Sequence, residues 1–186
     1  RGMSKIIIGI TGGIAAYKTL DVIRLLVKQD HEVRTILTRN ATEFVTPLSV
    51  ETLSLHPAAV EMFGARAADA IDHIELGIWA DVAAVAPVTA NFLGKMANGI
   101  ADDLLTTTLL ALQPGTPMVL APAMNTRMWN HPAVQRNLQT VRQDLGDNLH
   151  LVAPQEKLLA CGEWGVGAMA EPAEIAELIT SLLPAP

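Results

Sequence analysis

The chain has 186 residues, 50% of them apolar and 17% charged, and its 13 Lys and Arg against 19 Asp and Glu give a formal net charge of −6. At roughly 150 residues per domain the length points to one domain, which can bury around 70% of its unfolded surface without a disulfide or metal staple. This composition excludes a disordered chain, the acidic balance has the wrong sign for neutralising nucleic-acid phosphates, and no apolar run approaches the ~18 residues of a membrane span.

The single cysteine, Cys161, rules out an intrachain disulfide and any site built from several thiolates, so no metal centre is expected. It suits a reducing, cytoplasmic setting. Lys5 and the apolar run from Ile6 to Ala16 have the length of a signal-peptide core, but Gly12-Gly13 interrupts the run and an amphipathic pattern continues beyond Tyr17-Lys18. Arg1-Gly2 ahead of Met3 reads as a cloning remnant, and residues 1–186 as one domain.

In chain order, Lys5 to Ile10 reads as a strand buried on both faces, and Ala15 to Gln29 as a helix with Leu20, Ile23, Leu26 and Val27 on one face. Glu32 to Leu37 is a second strand. Thr46-Pro47 sets a capping hydroxyl before a proline and opens a helix through Leu55. Ala59 to Phe63 reads as a short third strand and Val82 to Ala86 as a fourth, followed by Thr89 as a cap and by helical stretches through Leu112. Met118 to Ala121 is a fifth strand, Asn130-His131-Pro132 opens a helix to Leu145, and Leu149 to Val152 is a sixth strand. Glu171-Pro172 opens the closing helix, with Ile175, Leu178, Ile179 and Leu182 on one side. Short apolar runs alternating with helical patterns predict a three-layer, doubly wound parallel sheet of the α/β class, Rossmann-like or flavodoxin-like, with about six strands.

Two segments fall outside the alternation: Gly64 to Ala80, with Asp72-His73-Ile74-Glu75, and Ala153 to Ala170, with Cys161 and glycines at 162, 165 and 167. Both read as loops, and loops longer than about 15 residues in a compact domain tend to be functional.

Thr11-Gly12-Gly13-Ile14-Ala15-Ala16 joins the first strand to the first helix, where free N–H groups and the helix dipole favour an anion. It matches neither the dinucleotide fingerprint nor the lysine-bearing phosphate loop, and a tight turn alone would also explain the glycines. Thr38, Asn40, Thr89 and Asn91 fall at carboxyl ends of strands, the rim where such sheets bind ligands. Asn125, after the fifth strand, either grips an amide or carboxylate or serves a turn. A lone histidine in a mixed segment, such as His73, is more often a surface or hydrogen-bonded residue than a catalytic one, and Cys161 reads as a small buried residue or as a thiol on a mobile glycine-bounded loop.

Six stretches in order resemble the homo-oligomeric flavin-containing cysteine decarboxylases. They are Gly-Gly-Ile-Ala-Ala-Tyr-Lys at 12–18, His-Ile-Glu-Leu at 73–76 with Trp-Ala-Asp at 79–81, and Ala-Pro-Val-Thr-Ala-Asn at 86–91. Then come Lys-Met-Ala-Asn-Gly-Ile-Ala-Asp-Asp-Leu-Leu-Thr at 95–106, Pro-Ala-Met-Asn at 122–125 with Met128, and Leu-Ala-Cys-Gly at 159–162 with Gly-Ala-Met-Ala-Glu-Pro at 167–172.

The resemblance implies FMN as cofactor, a homotrimer or dodecamer, and decarboxylation of a terminal cysteine moiety, with phosphopantothenoylcysteine of coenzyme A synthesis as substrate. In the implied reaction the cysteinyl group is oxidised to a thioaldehyde, CO2 leaves to give an enethiolate, and hydride returns from reduced flavin, so there is no net redox change. By the same resemblance His73 is the base and Cys161 the proton donor of the reductive half. Asn125, Met124 and Ala160 hold the substrate, while Gly12, Gly13, Ile14, Thr38, Asn40, Thr89, Ala90 and Asn91 hold FMN. The glycine-bounded Cys161 segment matches the family's substrate clamp.

Phe92 stands where a threonine is frequent in the family, and Ala168 where bacterial two-domain enzymes carry arginine. The Ala168 form resembles stand-alone decarboxylases, and the chain is read as one, with a domain excised from a two-domain enzyme as the alternative. Three alternatives remain. A peptidyl-cysteine oxidative decarboxylase would stop at the oxidised enethiol and has no use for the Cys161 clamp. A non-catalytic flavoprotein regulatory subunit typically carries a long acidic extension, and a flavodoxin-like electron carrier needs none of His73, Asn125 and Cys161.

Overall fold

The computed structural model describes residues 3–62 and 73–184. Arg1-Gly2, the expected strand end at Phe63 and the expected loop from 64 to 72 lie outside the described residues.

β1 (Lys5–Ile10) and β2 (Glu32–Leu37) have the bounds their patterns predict. β1 is central because it carries no polar side chain after Lys5: Ile6, Ile7, Ile8 and Ile10 are all fully buried, each worth about 1.5–3 kcal/mol. Between them runs α1 (Ala16–Val27), which packs Val22, Ile23 and Leu26 on the sheet. Arg39–Glu43 forms a short 3-10 turn, and α2 (Pro47–Ser54) starts with Thr46 accepting the Ser49 N–H, the cap its sequence forecasts. β3 is only Ala58–Ala59. α3 (His73–Trp79) then leads to β4 (Val82–Val88), buried along its whole length and containing a cis Ala86–Pro87 bond.

The helical stretch after Thr89 divides into α4 (Ala90–Ala97) and α5 (Leu104–Leu110); the first is capped by Thr89 and the second by Asp103, reciprocally with Thr106. β5 (Met118–Pro122) is followed by a single turn, α6 (Thr126–Trp129), and by α7 (Pro132–Leu145). β6 (Leu149–Leu151), β7 (Gln155–Leu158), β8 (Trp164–Ala168) and α8 (Pro172–Ser181) complete the order.

The six-stranded sheet runs β3-β2-β1-β4-β5-β6 and every pairing is parallel. That is the Rossmann order; with the two-residue β3 set aside, the longer strands follow the flavodoxin arrangement, so both likenesses describe one sheet. One core lies between the sheet and α1, α2 and α8, with Ile6, Ile8 and Ile10 facing it. A second lies beneath α3, α4, α5 and α7 and takes Ile7, Ile36 and Phe92. Among the described residues no helix is long and apolar enough to cross a membrane.

Two expectations are corrected. Residues 73–79 are helical rather than loop, because Leu76 and Gly77 bury against α5. The segment after β6 is not a loop either. β7 and β8 pair antiparallel, a two-stranded hairpin apart from the main sheet, with Leu158 opposite Trp164.

Candidate active site

Chain order reverses between β1 and β4, and the loops leaving their carboxyl ends must diverge there, opening a crevice. Thr11 ties the two loops together. Its hydroxyl donates to the Pro87 carbonyl at 2.6 Å and accepts the Thr89 N–H at 3.2 Å. Gly12 packs against the 3-10 turn that follows β2, so close that a β-carbon there would meet Asn40. No side chain caps α1; the Ala16 and Lys18 N–H groups bond the Gly13 and Ala15 carbonyls at 2.9 and 3.0 Å, and the positive end of the helix dipole faces the crevice.

A cavity of about 960 Å³ occupies this crevice. Gly12, Gly13, Ile14, Thr38, Asn40, Thr89, Ala90 and Asn91 all line it, and so do Met124, Asn125, Ala160 and Cys161. Thr89 spends its acceptor on capping α4, at 3.2 Å from the Phe92 N–H, whereas the Thr38 hydroxyl makes no capping bond. Phe92 is itself buried and reaches the cavity wall. His73 is the exception: it opens α3, partly buried, and does not belong to the lining.

The hairpin brings Cys161 in from the far end of the sequence. Its base is fixed where the Met124 N–H donates to the Gly167 carbonyl at 2.9 Å; a β-carbon on Gly167 would collide with the Met124 carbonyl. Lys157 on β7 pairs with Glu171 at the start of α8, and the Gln155 amide reaches Glu174 at 3.2 Å. The hydrogen bond from Lys157, helped by the charge of Lys18, holds the Glu171 carboxyl below its ordinary pKa.

At the hairpin tip Asn125 Nδ2 donates to Cys161 Sγ at 3.5 Å, across 36 positions of sequence. Asn125 Oδ1 meanwhile accepts the Arg127 N–H at 2.8 Å and so caps α6. Of the two roles expected for Asn125, the structure shows the turn role, with Nδ2 left at the cavity beside Cys161. With Oδ1 committed, the side chain presents only N–H donors inward, the polarity that suits a carboxylate or a thiolate.

Pattern reading passed over further lining residues. Lys95, on α4, donates to both oxygens of Asp102 at 2.7 and 2.9 Å and lies 3.5 Å from Asp103. The Asp102 hydrogen bond raises the Lys95 pKa, and the same bond lowers that of Asp102. Lys18 and Arg39 also line the cavity, the latter 3.9 Å from Glu61. The seven-residue spacing from Lys95 to Asp102 inside a quoted motif was the available signal.

Fold and site together define a doubly wound α/β protein with an anion-suited crevice at its switch point and a thiol brought to the crevice wall by a hairpin. The chain belongs to the Flavoprotein family, which it matches over residues 1–184. It is 44% identical over 170 residues to the coenzyme A biosynthesis bifunctional protein CoaBC of Haemophilus influenzae, covering 91% of this chain and 41% of that protein. The chain thus spans about two fifths of the length of the curated relatives it matches. Among solved structures it is 34% identical, with a TM-score of 0.81, to a cysteine-to-serine mutant of PPC decarboxylase complexed with pantothenoylaminoethenethiol, covering 97% of this chain and 98% of that one. It is also 34% identical to the FMN binding protein AtHal3, with a TM-score of 0.79 and coverage of 97% and 96%.

Proposed function

We propose that the chain is one FMN-dependent carboxy-lyase domain that converts 4'-phospho-N-pantothenoylcysteine to 4'-phosphopantetheine in coenzyme A synthesis, in the cytoplasm. The observation that carries this reading is the contact between Asn125 and Cys161 in a cavity also lined by the uncapped end of α1. A carboxylate-binding amide and a proton-bearing thiol meet beside an anion site.

The lining fits FMN. The Gly12-Gly13 turn and the α1 N-terminus would hold its phosphate, the Thr38 and Asn40 side chains its polar tail, and Thr89, Ala90, Asn91 and Met124 the region of its ring. When bound, FMN supplies reversible two-electron chemistry that makes the cysteinyl carbon an electron sink for CO2 loss.

The protein's own groups do the rest. Asn125 Nδ2 donates to the substrate carboxylate and orients it for departure, with Met124 and Ala160 walling the cysteinyl end. Cys161 Sγ holds the proton that the enethiolate carbon receives in the second half. His73 takes the proton from the substrate in the first half, imidazole being the side chain suited to exchange near neutrality. Because His73 is not part of the lining, this role calls for a second copy to complete the site, in keeping with a homotrimer or a dodecamer built from trimers.

Incubating the purified chain with phosphopantothenoylcysteine and weighing the product tests the reading. Loss of 44 mass units, one CO2, is expected. Loss of 46, with reduced flavin left behind, would favour the peptidyl-cysteine alternative, and unchanged substrate would refute both.

A further inference from the structure

We propose that Arg127 is the positioning residue of the Asn125–Cys161 pair and that it acts through both of its ends. The backbone N–H of Arg127 donates to Asn125 Oδ1 at 2.8 Å, which turns Asn125 Nδ2 toward the thiol. Its guanidinium donates from Nη2 to Glu163 Oε1 at 3.1 Å. Glu163 in turn closes the tip that carries Cys161: its carbonyl accepts the Leu159 N–H at 2.8 Å, and the Gly162 N–H donates to the Leu159 carbonyl at 2.9 Å. One residue therefore fixes the amide from one side and the turn bearing the thiol from the other.

The remaining links named above, from Met124 to Gly167, Lys157 to Glu171 and Gln155 to Glu174, hold the base of the hairpin. At the tip the amide-to-sulfur contact is weak and neutral, so the Arg127–Glu163 pair is the charged tether there. The Arg127 and Glu163 side chains are 84% and 49% exposed. A pair in that setting contributes modestly and is screened by salt, which makes it a reversible latch and not a staple. The tip is held with Cys161 beside Asn125 while the latch is made and swings more freely when it is not.

The role given to Cys161 rests on the decarboxylase reading, whereas the latch itself is tested without it. Hydrogen exchange by mass spectrometry on the full chain reads the tip amides of Leu159 and Gly162, corrected for intrinsic rates with an unstructured reference peptide. Arg127→Gln and Glu163→Gln should each speed exchange there about two- to fivefold at low salt. The charge swap Arg127→Glu with Glu163→Arg should restore protection, and added salt should bring the wild-type chain toward the single variants. Unchanged exchange in both singles, or a swap no better than either, would overturn the latch.

Positioning is read separately from stability. In a single anaerobic turnover of the flavin-loaded chain with phosphopantothenoylcysteine, both single variants should release CO2 at the wild-type rate yet yield a larger share of oxidised product, with an equal share of flavin left reduced, and the swap should reverse this. A loosened tip with normal product would remove Arg127 from the chemistry and overturn the positioning role. Failure of the wild-type chain to release CO2, with the exchange pattern intact, would sink the decarboxylase reading and leave the latch standing.

Discussion

A β-carbon on Gly12 would lie 2.5 Å from Cβ of Asn40 and 2.9 Å from its carbonyl carbon, so the turn after β1 and the 3-10 turn after β2 meet where there is room only for hydrogen. At Gly13 the nearest atoms are Thr89 Cγ2 at 3.5 Å and Pro87 Cγ at 3.8 Å, ordinary contact distances. The two glycines should therefore separate. Gly12→Ala should lose about 1–3 kcal/mol of stability through overpacking. Gly13→Ala should melt like the parent without flavin but bind FMN more weakly, its methyl standing in the phosphate turn. Equal melting temperatures for the two apoproteins would contradict the packing argument, and FMN titrations test the binding half.

How much of this was legible in the sequence depends on where the determining contacts lie. β1 was bounded correctly because a strand buried on both faces leaves an uninterrupted apolar run; β2, which carries Glu32, Arg34 and Thr35, shows itself by the apolar Val33, Ile36 and Leu37. α3 was missed: seven residues containing Gly77 carry little helical signal, and what holds them is packing on α5. The hairpin was missed for a related reason. Gln155–Leu158 is polar and Trp164–Ala168 is glycine-rich, and those glycines serve close approach to Met124 and Thr126. In the site, the first turn and the strand-end polar residues were readable from topology, but the tethering of Asn125 by Arg127 and the Lys95–Asp102 pair are tertiary facts.

The Lys95–Asp102 pair has a pH signature with two edges. Asp102 has its pKa lowered from the ordinary 3.8 by the Lys95 hydrogen bond, so what it adds to stability is present above 3.8 and is lost as pH falls through its lowered value. Lys95 has its pKa raised from the ordinary 10.5, so its share is fully present below 10.5 and is lost as pH rises through the raised value. The stability difference between wild type and Lys95→Met should hence be flat between about pH 5 and 9 and shrink at both extremes. Urea titrations carried beyond both ends of that range decide it, and a difference that grows in acid would reverse the assignment.

Asn125→Asp separates the two jobs of that side chain. Aspartate caps helices as well as asparagine does, so the bond from the Arg127 N–H should persist and the melting temperature should hardly change. The donors toward Cys161 and the substrate carboxylate are gone, replaced by a like charge. A hydrogen bond to a charged group is worth about 1.5–3 kcal/mol, so CO2 release at limiting substrate should fall about 10- to 100-fold. A large stability loss with unchanged kcat/KM would leave Asn125 as a cap alone.

His73 is tested by complementation. His73→Asn should retain FMN and lower the first half-reaction by about 10²- to 10⁴-fold. If the histidine is supplied by a neighbouring copy, mixing that variant with Asn125→Asp under subunit exchange should regenerate intact sites and recover part of the lost rate. Light scattering on the mixture should show trimers or multiples of them. Full activity in a stable monomer, or mixtures no better than their components, would speak against a shared site.

Cys161 carries the most discriminating chemistry. The sequence contains one cysteine, so the thiol beside Asn125 can be removed without rearranging any other. Serine is close in size but a far poorer acid. Oxidation and CO2 loss need no proton from this position, so Cys161→Ser should complete the first half at a near-normal rate. The second half needs one, and should stall. Under anaerobic conditions the flavin should then stay reduced after one turnover, and the released product should be two mass units lighter than phosphopantetheine. A thiol with no part in the reaction would behave differently: Cys161 is exposed, so the serine variant would melt like the parent and yield saturated product at the parent rate. That pattern would take Cys161 out of the reaction, and with it the feature that separates this reading from an oxidative peptidyl-cysteine decarboxylase.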